Sequence, residues 1–161
     1  MRIDAQGFGI DLPSPWEGAV QQSQVSDGVQ RRAAFQGLLV HTPPVLHLSS
    51  TRLPPARGDF GSGAVDVLGV DDRFIAIVEY GADSVGTALF DTGPLPRVLD
   101  HRRFTPNGLQ RAIPGQSGYQ HFCTEGGRAL CLYVVLGAHH QARRLTRSVN
   151  DILDRVEIAP R

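Results

Sequence analysis

Apolar residues run together, or alternate with polar ones, on both sides of a glycine pair near the C-terminus. Segments 118–124 and 129–136 are rich in aromatic and β-branched residues, and Gly126 and Gly127 lie between them. Glycine reaches positive φ without a Cβ clash, which a two-residue hairpin turn requires. The pattern therefore predicts a β-hairpin with this glycine pair as its turn.

Because side chains alternate between the faces of a strand, the register of the hairpin assigns each residue to a face. We expect Glu125 to face Arg128 and Phe122 to face Leu130. One face is then wholly apolar and belongs to the core; it carries Phe122, Leu130, Leu132, Val134 and Leu136. The other face is mixed and only partly covered; it carries Tyr119, His121, Cys123, Ala129, Cys131 and Tyr133.

The residues after the hairpin have a helical pattern. Apolar residues recur at spacings of three and four, which makes one stripe along a helix. The stripe consists of Ala142, Leu145, Val149, Ile152, Leu153 and Val156. It predicts a helix over residues 141–154 that packs on the hairpin.

The N-terminal part of the chain has short apolar segments separated by prolines and polar stretches. The pattern predicts strands over residues 8–12, 16–20, 34–40, 45–53 and 74–80, with a polar loop over 21–32. Short helices are expected over 62–68 and 105–111. In the second of these, Thr105 suits the cap and Pro106 the first helical position.

These elements together predict an α+β fold. We expect an antiparallel sheet of about six or seven strands, the long C-terminal helix packed on it, and short additional helices. A chain of 161 residues suffices for one domain with a sizeable core but not for two. The sequence therefore predicts a single α+β domain over residues 1–161.

The N-terminal strand ends in Leu12-Pro13 and is followed, after a short gap, by Trp16. This opening, with several antiparallel strands after it and a closing strand pair and helix, resembles the PsbP/Mog1/LpqN-like group of small α+β domains. The sequence match covers about ten residues, and the rest is element order. The resemblance implies a binding or accessory module and no catalytic motif.

The overall charge balance bears on the class of partner. Sixteen basic residues, all arginine, balance sixteen acidic ones, so the formal net charge is zero. Phosphate binding needs an excess of positive charge, and the balance argues against nucleic acid as the main partner. We interpret the arginine pairs at 31–32, 102–103 and 143–144 as solvated surface.

Hydropathy and cysteine content bear on location. No run approaches membrane-spanning length, and the N-terminus has no signal-peptide pattern. Two cysteines that are offset in the expected register suit free thiols in a reducing compartment. We therefore expect a cytoplasmic protein without a membrane span, either a monomer or a homodimer.

Two patterns allow catalytic or metal chemistry. Asp91-Thr92-Gly93 after two apolar residues resembles the active-site loop of aspartic proteases, in which two carboxylates share a proton. The chain has no second such motif, so that function needs a dimer. His121, Cys123 and Cys131 fall short of a closed zinc set. We expect no metal or cofactor, and we favour a non-enzymatic function over the dimeric hydrolase that would use Asp91.

The mixed face of the hairpin is the predicted binding site for a protein partner or small ligand. Tyr119, His121 and Tyr133 combine apolar bodies with polar tips, as partly wet binding surfaces do. Arg128, Arg102 and Arg103 are expected to supply a polar rim. Trp16 is an additional aromatic candidate, with a buried core position as its alternative.

Overall fold

The computed structural model describes residues 1–24 and 42–161, and the structural statements below refer to these residues. The predicted strand over 34–40 and most of the predicted loop over 21–32 lie outside them. The predicted α+β fold with one sheet is wrong. In the described residues, eight strands form two antiparallel sheets, of three and five strands, and there is one α-helix. The fold is mostly β.

The small sheet brings the two ends of the chain together. It contains β1 (Arg2–Ala5), β2 (Phe8–Asp11) and β8 (Glu157–Ile158), in the order β1-β2-β8. Gln6 and Gly7, at φ 52° and 90°, form the tight turn between β1 and β2. Strand β1 was not predicted, because its exposed positions Arg2 and Asp4 are charged and only Ile3 points into the core.

The large sheet has the strand order β3-β4-β5-β7-β6, with every neighbouring pair antiparallel. Its strands are β3 (Glu17–Gln22), β4 (Pro44–Ser49), β5 (Arg73–Glu79), β6 (Ser117–Glu125) and β7 (Arg128–Leu136). The predictions of β5, β6 and β7 are confirmed. Strand β5 is almost wholly apolar because both of its faces are buried.

The register of the β6–β7 hairpin corrects the predicted faces. Glu125 pairs with Arg128 as expected, but Phe122 pairs with Cys131 and not with Leu130. The expected Phe122–Leu130 pair was one residue out of step with the Glu125–Arg128 pair, and such a slip moves every side chain of one strand to the opposite face. Tyr133 therefore lies on the opposite face of the sheet from Tyr119 and His121, and the predicted mixed face does not exist as one surface.

One face of the large sheet, which we call the helix face, is covered by α1 (Ala142–Leu153) and the small sheet. The helix prediction is confirmed, and Leu145, Val149, Ile152 and Leu153 are buried as its periodicity required. Opposite them lie the fully buried side chains of Leu46, Leu48, Ile75, Ile77, Leu130, Leu132, Val134 and Leu136. The helix face is a closed aliphatic core.

The other face, which we call the loop face, is covered by irregular segments and 3-10 turns. The sheet contributes Val45, Phe74, Ala76, Val78, Cys131, Tyr133 and Val135. The cover includes the buried Ala64 and Val65, and the rest of its apolar residues are only partly buried, namely Leu53, Phe60, Leu68, Leu109 and Ile113. The two predicted short helices are reduced to 3-10 turns, Val65–Val67 and Pro106–Gly108. Thr105 does cap the second, since its hydroxyl accepts a hydrogen bond from the Asn107 amide at 3.2 Å.

No helix in the described part of the chain is long and apolar enough to span a bilayer.

Candidate functional site

Two of the predicted site residues meet at the outer edge of the large sheet. Tyr119 and His121 are half-buried on β6, and their rings stack with centroids 6.2 Å apart and planes 15° apart. The Tyr119 ring also packs against Phe104, with centroids 5.6 Å apart. Burial lowers the pKa of His121, and the positive charge of Arg103 lowers it further. Tyr119, His121 and Arg103 therefore form one local group.

Tyr133 lies on the loop face and is 2% exposed. Its hydroxyl oxygen accepts a hydrogen bond from the Gln110 amide at 2.8 Å, and its ring contacts Phe60 edge to face at 5.5 Å. Burial raises its pKa, so the phenol stays protonated at neutral pH. Tyr133 thus has a hydroxyl hydrogen that it can donate.

Tyr133 lines a pocket of about 210 Å³ between the sheet and the loops that cover it. Its apolar walls are formed by Phe60, Val65, Leu109, Tyr133 and Val135. Asp59 and Arg111 also line it, and the Arg111 guanidinium forms an ion pair with Asp66. The pocket is therefore apolar within, with charged side chains close by.

Gln116 is a buried polar residue in the wall of this pocket. It is 4% exposed, and its Nε2 donates to the Val65 carbonyl at 2.9 Å. Because a flipped amide would turn its oxygen toward that carbonyl, the bond determines the amide orientation. Among the described residues, the Gln116 Oε1 has no hydrogen-bond partner. Such a buried acceptor normally has one, and leaving it unpaired is unfavourable.

Arg128, one of the predicted rim residues, is engaged within the chain. Its Nη1 donates to the Glu79 carboxylate at 2.8 Å, and its Nε donates to the Ala159 carbonyl at the same distance. Arg161 donates to the other Glu79 oxygen, also at 2.8 Å. The Glu79 side chain is only 1% exposed. The network therefore joins the hairpin to the C-terminal residues.

Two further predicted residues are also engaged within the chain. Trp16 is 6% exposed, and the guanidinium of Arg73 lies over its ring, 5.2 Å from the centroid. This burial supports the alternative in which Trp16 is a core residue. Arg102 is exposed but paired with Asp100 at 2.7 Å, and this pairing lowers the pKa of Asp100 to about 2.

The residues considered for catalysis and metal binding are dispersed. Asp91 is exposed on the loop after Phe90, and the neighbouring Thr92 hydroxyl donates to the Phe122 carbonyl. Cys131 lies on the opposite sheet face from His121 and Cys123. Within residues 1–24 and 42–161, no three His, Cys, Asp or Glu side chains are grouped to hold a metal. Burial raises the pKa of both cysteine thiols to about 12.

A buried hydrogen-bond network centred on His47 was not predicted from the sequence. The His47 Nδ1 accepts from the Arg57 Nε at 3.1 Å, and its Nε2 donates to the Asp59 carbonyl at 2.8 Å. The Asp59 carboxylate in turn accepts from the Ser23 hydroxyl at 2.6 Å. Burial lowers the pKa of His47 to about 4, so the ring is neutral at pH 7. The sequence feature that could have indicated this network is His47 itself, because it interrupts the apolar residues of β4.

Comparisons of the chain with protein-family models, with curated proteins and with solved structures found no match. The function of the protein must therefore be inferred from the geometry and chemistry of its own sites.

Proposed function

We propose that this protein is a non-catalytic binding module that takes a small ligand in the pocket beside Tyr133. The observation that carries the proposal is the unpartnered Oε1 of Gln116 in the wall of that pocket. The resemblance to PsbP/Mog1/LpqN-like domains implies the same class of function. Few polar groups in a concave apolar pocket are typical of small-molecule sites.

The polar groups of the pocket define the chemistry of the ligand. The Tyr133 hydroxyl offers a hydrogen, and the Gln116 Oε1 accepts one. A ligand that carries both an acceptor and a donor atom, such as an amide or a lactam, can satisfy both. Neither of these two groups is charged, Arg111 is paired with Asp66, and the Asp59 carboxylate already accepts from the Ser23 hydroxyl. A charged ligand would therefore be left unpaired in the pocket, which is unfavourable, and the proposed ligand is neutral.

The size of the pocket limits the ligand further. At about 210 Å³ it is smaller than the roughly 300–1,000 Å³ of drug-sized sites. The aromatic rings of Phe60 and Tyr133 meet edge to face at the wall. The proposed ligand is thus a compact, mainly apolar ring or short chain that carries one amide-like group.

The test is a ligand-observed NMR screen of small neutral amides, lactams, acids and hydrocarbons against the full chain. We expect the amides and lactams to bind, and Val65→Phe to abolish their binding because the larger ring fills the pocket. Val67→Phe is the matched control, since Val67 is 60% exposed in the same 3-10 turn and does not line the pocket. Wild-type protein that binds none of these compounds, or a folded Val65→Phe variant that binds them equally, would refute the proposal.

A further inference from the structure

Positive charge is concentrated on one part of the surface although the whole chain is neutral. Three adjoining depressions are lined by Arg102, Arg103, Arg143, Arg144 and Arg147. They also include His101, His139 and His140. None of the residues that line them is acidic. We call this region the basic surface.

Carboxylates neutralise only part of this charge. Arg102 pairs with Asp100, and Arg144 pairs with Asp71. Arg103, Arg143 and Arg147 form no ion pair with any residue of the described chain. Three exposed guanidinium groups are therefore open to an external anion.

The position of these arginines on α1 is unfavourable for the isolated protein. Arg143 and Arg147 are four residues apart and share one side of the helix, where like charges repel. Arg143 and Arg144 also lie in the first turn, where the helix dipole favours acidic residues and none is present. A bound polyanion would offset both the repulsion between Arg143 and Arg147 and the unfavourable interaction of the first-turn arginines with the helix dipole.

Aromatic side chains lie beside this charge. Arg103 shares a depression with Tyr119, whose half-buried ring stacks on that of His121. Phe104 links the two regions, since it contacts Tyr119 and lines the depression that contains Arg143. Arginine forks match phosphate oxygens, and half-exposed aromatic rings stack on nucleobases.

We propose that the basic surface binds single-stranded nucleic acid, with phosphates on Arg103, Arg143 and Arg147 and a base on Tyr119. The neutral net charge predicted no nucleic-acid partner, but that argument applies only if charge is spread evenly. Here the lining of three adjoining depressions is free of acidic residues. An open, extended surface also suits a chain of phosphates better than one small anion.

The test is fluorescence anisotropy with a labelled single-stranded RNA of mixed sequence, titrated at several salt concentrations. Three phosphate contacts predict that log K falls with log salt with a slope of roughly −2. Arg143→Gln/Arg147→Gln should make that slope shallower by about 1. Tyr119→Leu keeps apolar bulk against Phe104 but removes the ring, and it should weaken binding about tenfold with the slope unchanged.

Controls separate this site from general charge attraction. Arg52→Gln/Arg155→Gln removes two exposed arginines that do not line the basic surface, and it should leave the slope near the wild-type value. Polyglutamate and anionic lipid vesicles should bind much more weakly than the RNA. Equal binding of either one, an unchanged slope in the Arg143/Arg147 variant, or an unchanged affinity in Tyr119→Leu would overturn the proposal.

Discussion

The two faces of the large sheet are covered in different ways. The helix face packs against a regular helix and a second sheet, and its side chains interdigitate in an aliphatic core. The loop face is covered by segments such as residues 53–69 and 105–116, which contribute half-buried apolar residues. The enclosed pocket beside Tyr133 lies on the loop face. Regular elements can fill a face closely, whereas irregular segments leave space that a ligand can use.

Each face also contains a buried polar network, and the two networks differ in charge. On the helix face, Glu79 is charged and fully paired with Arg128 and Arg161. On the loop face, His47 is neutral and bonded to Arg57 and Asp59. The first network depends on opposite charges, and the second depends on keeping a proton off an imidazole. They should therefore respond differently to mutation and to pH.

The largest expected effect is from Arg128→Met on the helix face. Removing this guanidinium leaves the buried Glu79 carboxylate with Arg161 alone, and we expect a loss of about 3–5 kcal/mol in the free energy of unfolding. Urea denaturation measures it. Arg161→Met is the matched comparison, and its cost should be about 1 kcal/mol because the Arg161 side chain is 38% exposed. An equal or smaller effect of Arg128→Met would contradict the assignment of Arg128 as the main partner.

A smaller effect is expected from pH on the loop face. The pKa of His47 is about 4 in the folded protein and about 6.5 in the unfolded chain, so the unfolded state binds the proton more readily. Its contribution of about 3 kcal/mol is complete above pH 6.5 and is lost as the pH falls toward 4. Urea titrations from pH 8 to 4 on wild type and His47→Gln measure this, because the subtraction cancels other titrating groups. The difference between the two proteins should shrink as the pH falls; a constant difference would contradict the prediction.

The smallest expected effect compares two adjacent residues of β7. Val134 and Val135 are both fully buried, on the helix face and the loop face respectively. Val134→Ala should be more destabilising than Val135→Ala by about 1 kcal/mol, since the second deletion only enlarges an existing pocket and loses fewer contacts. Urea denaturation of both variants measures the difference. Equal losses would show that the two faces are equally well packed at this strand, and the reverse order would show that the loop face is the more tightly packed one.

Local elements were predictable where a pattern was long or a turn was distinctive. The Gly126-Gly127 turn and the periodic stripe of α1 led to the correct hairpin and helix. The face of Tyr133 was predicted wrongly although the Glu125–Arg128 pair already places it opposite Gln120, because the expected Phe122–Leu130 pair was one residue out of step with that turn. A short strand near residues 156–158 was suggested by the sequence, but β8 contains only two residues and nothing local indicates that it pairs with β2. The pairing that makes the small sheet was therefore not predictable from the sequence.

The candidate sites depended on longer-range contacts. Tyr119 and His121 were predictable as neighbours because they alternate on one strand. Gln116 and Val65, which meet in the pocket wall, are far apart in sequence and have no motif between them. In the basic surface, Arg102 and Arg143 line one depression although they are about forty residues apart in the chain. The net charge of the chain does not show which charged residues lie together.

Local periodicity and backbone preference were enough to predict β5, β6, β7, the hairpin turn and the amphipathic helix. The folded structure was needed to show that the strands divide into two sheets and how the side chains are distributed over their faces. It also shows where the arginines gather. These features depend on contacts between distant segments, and such contacts are set by the packing of the whole chain and not by any single stretch of it.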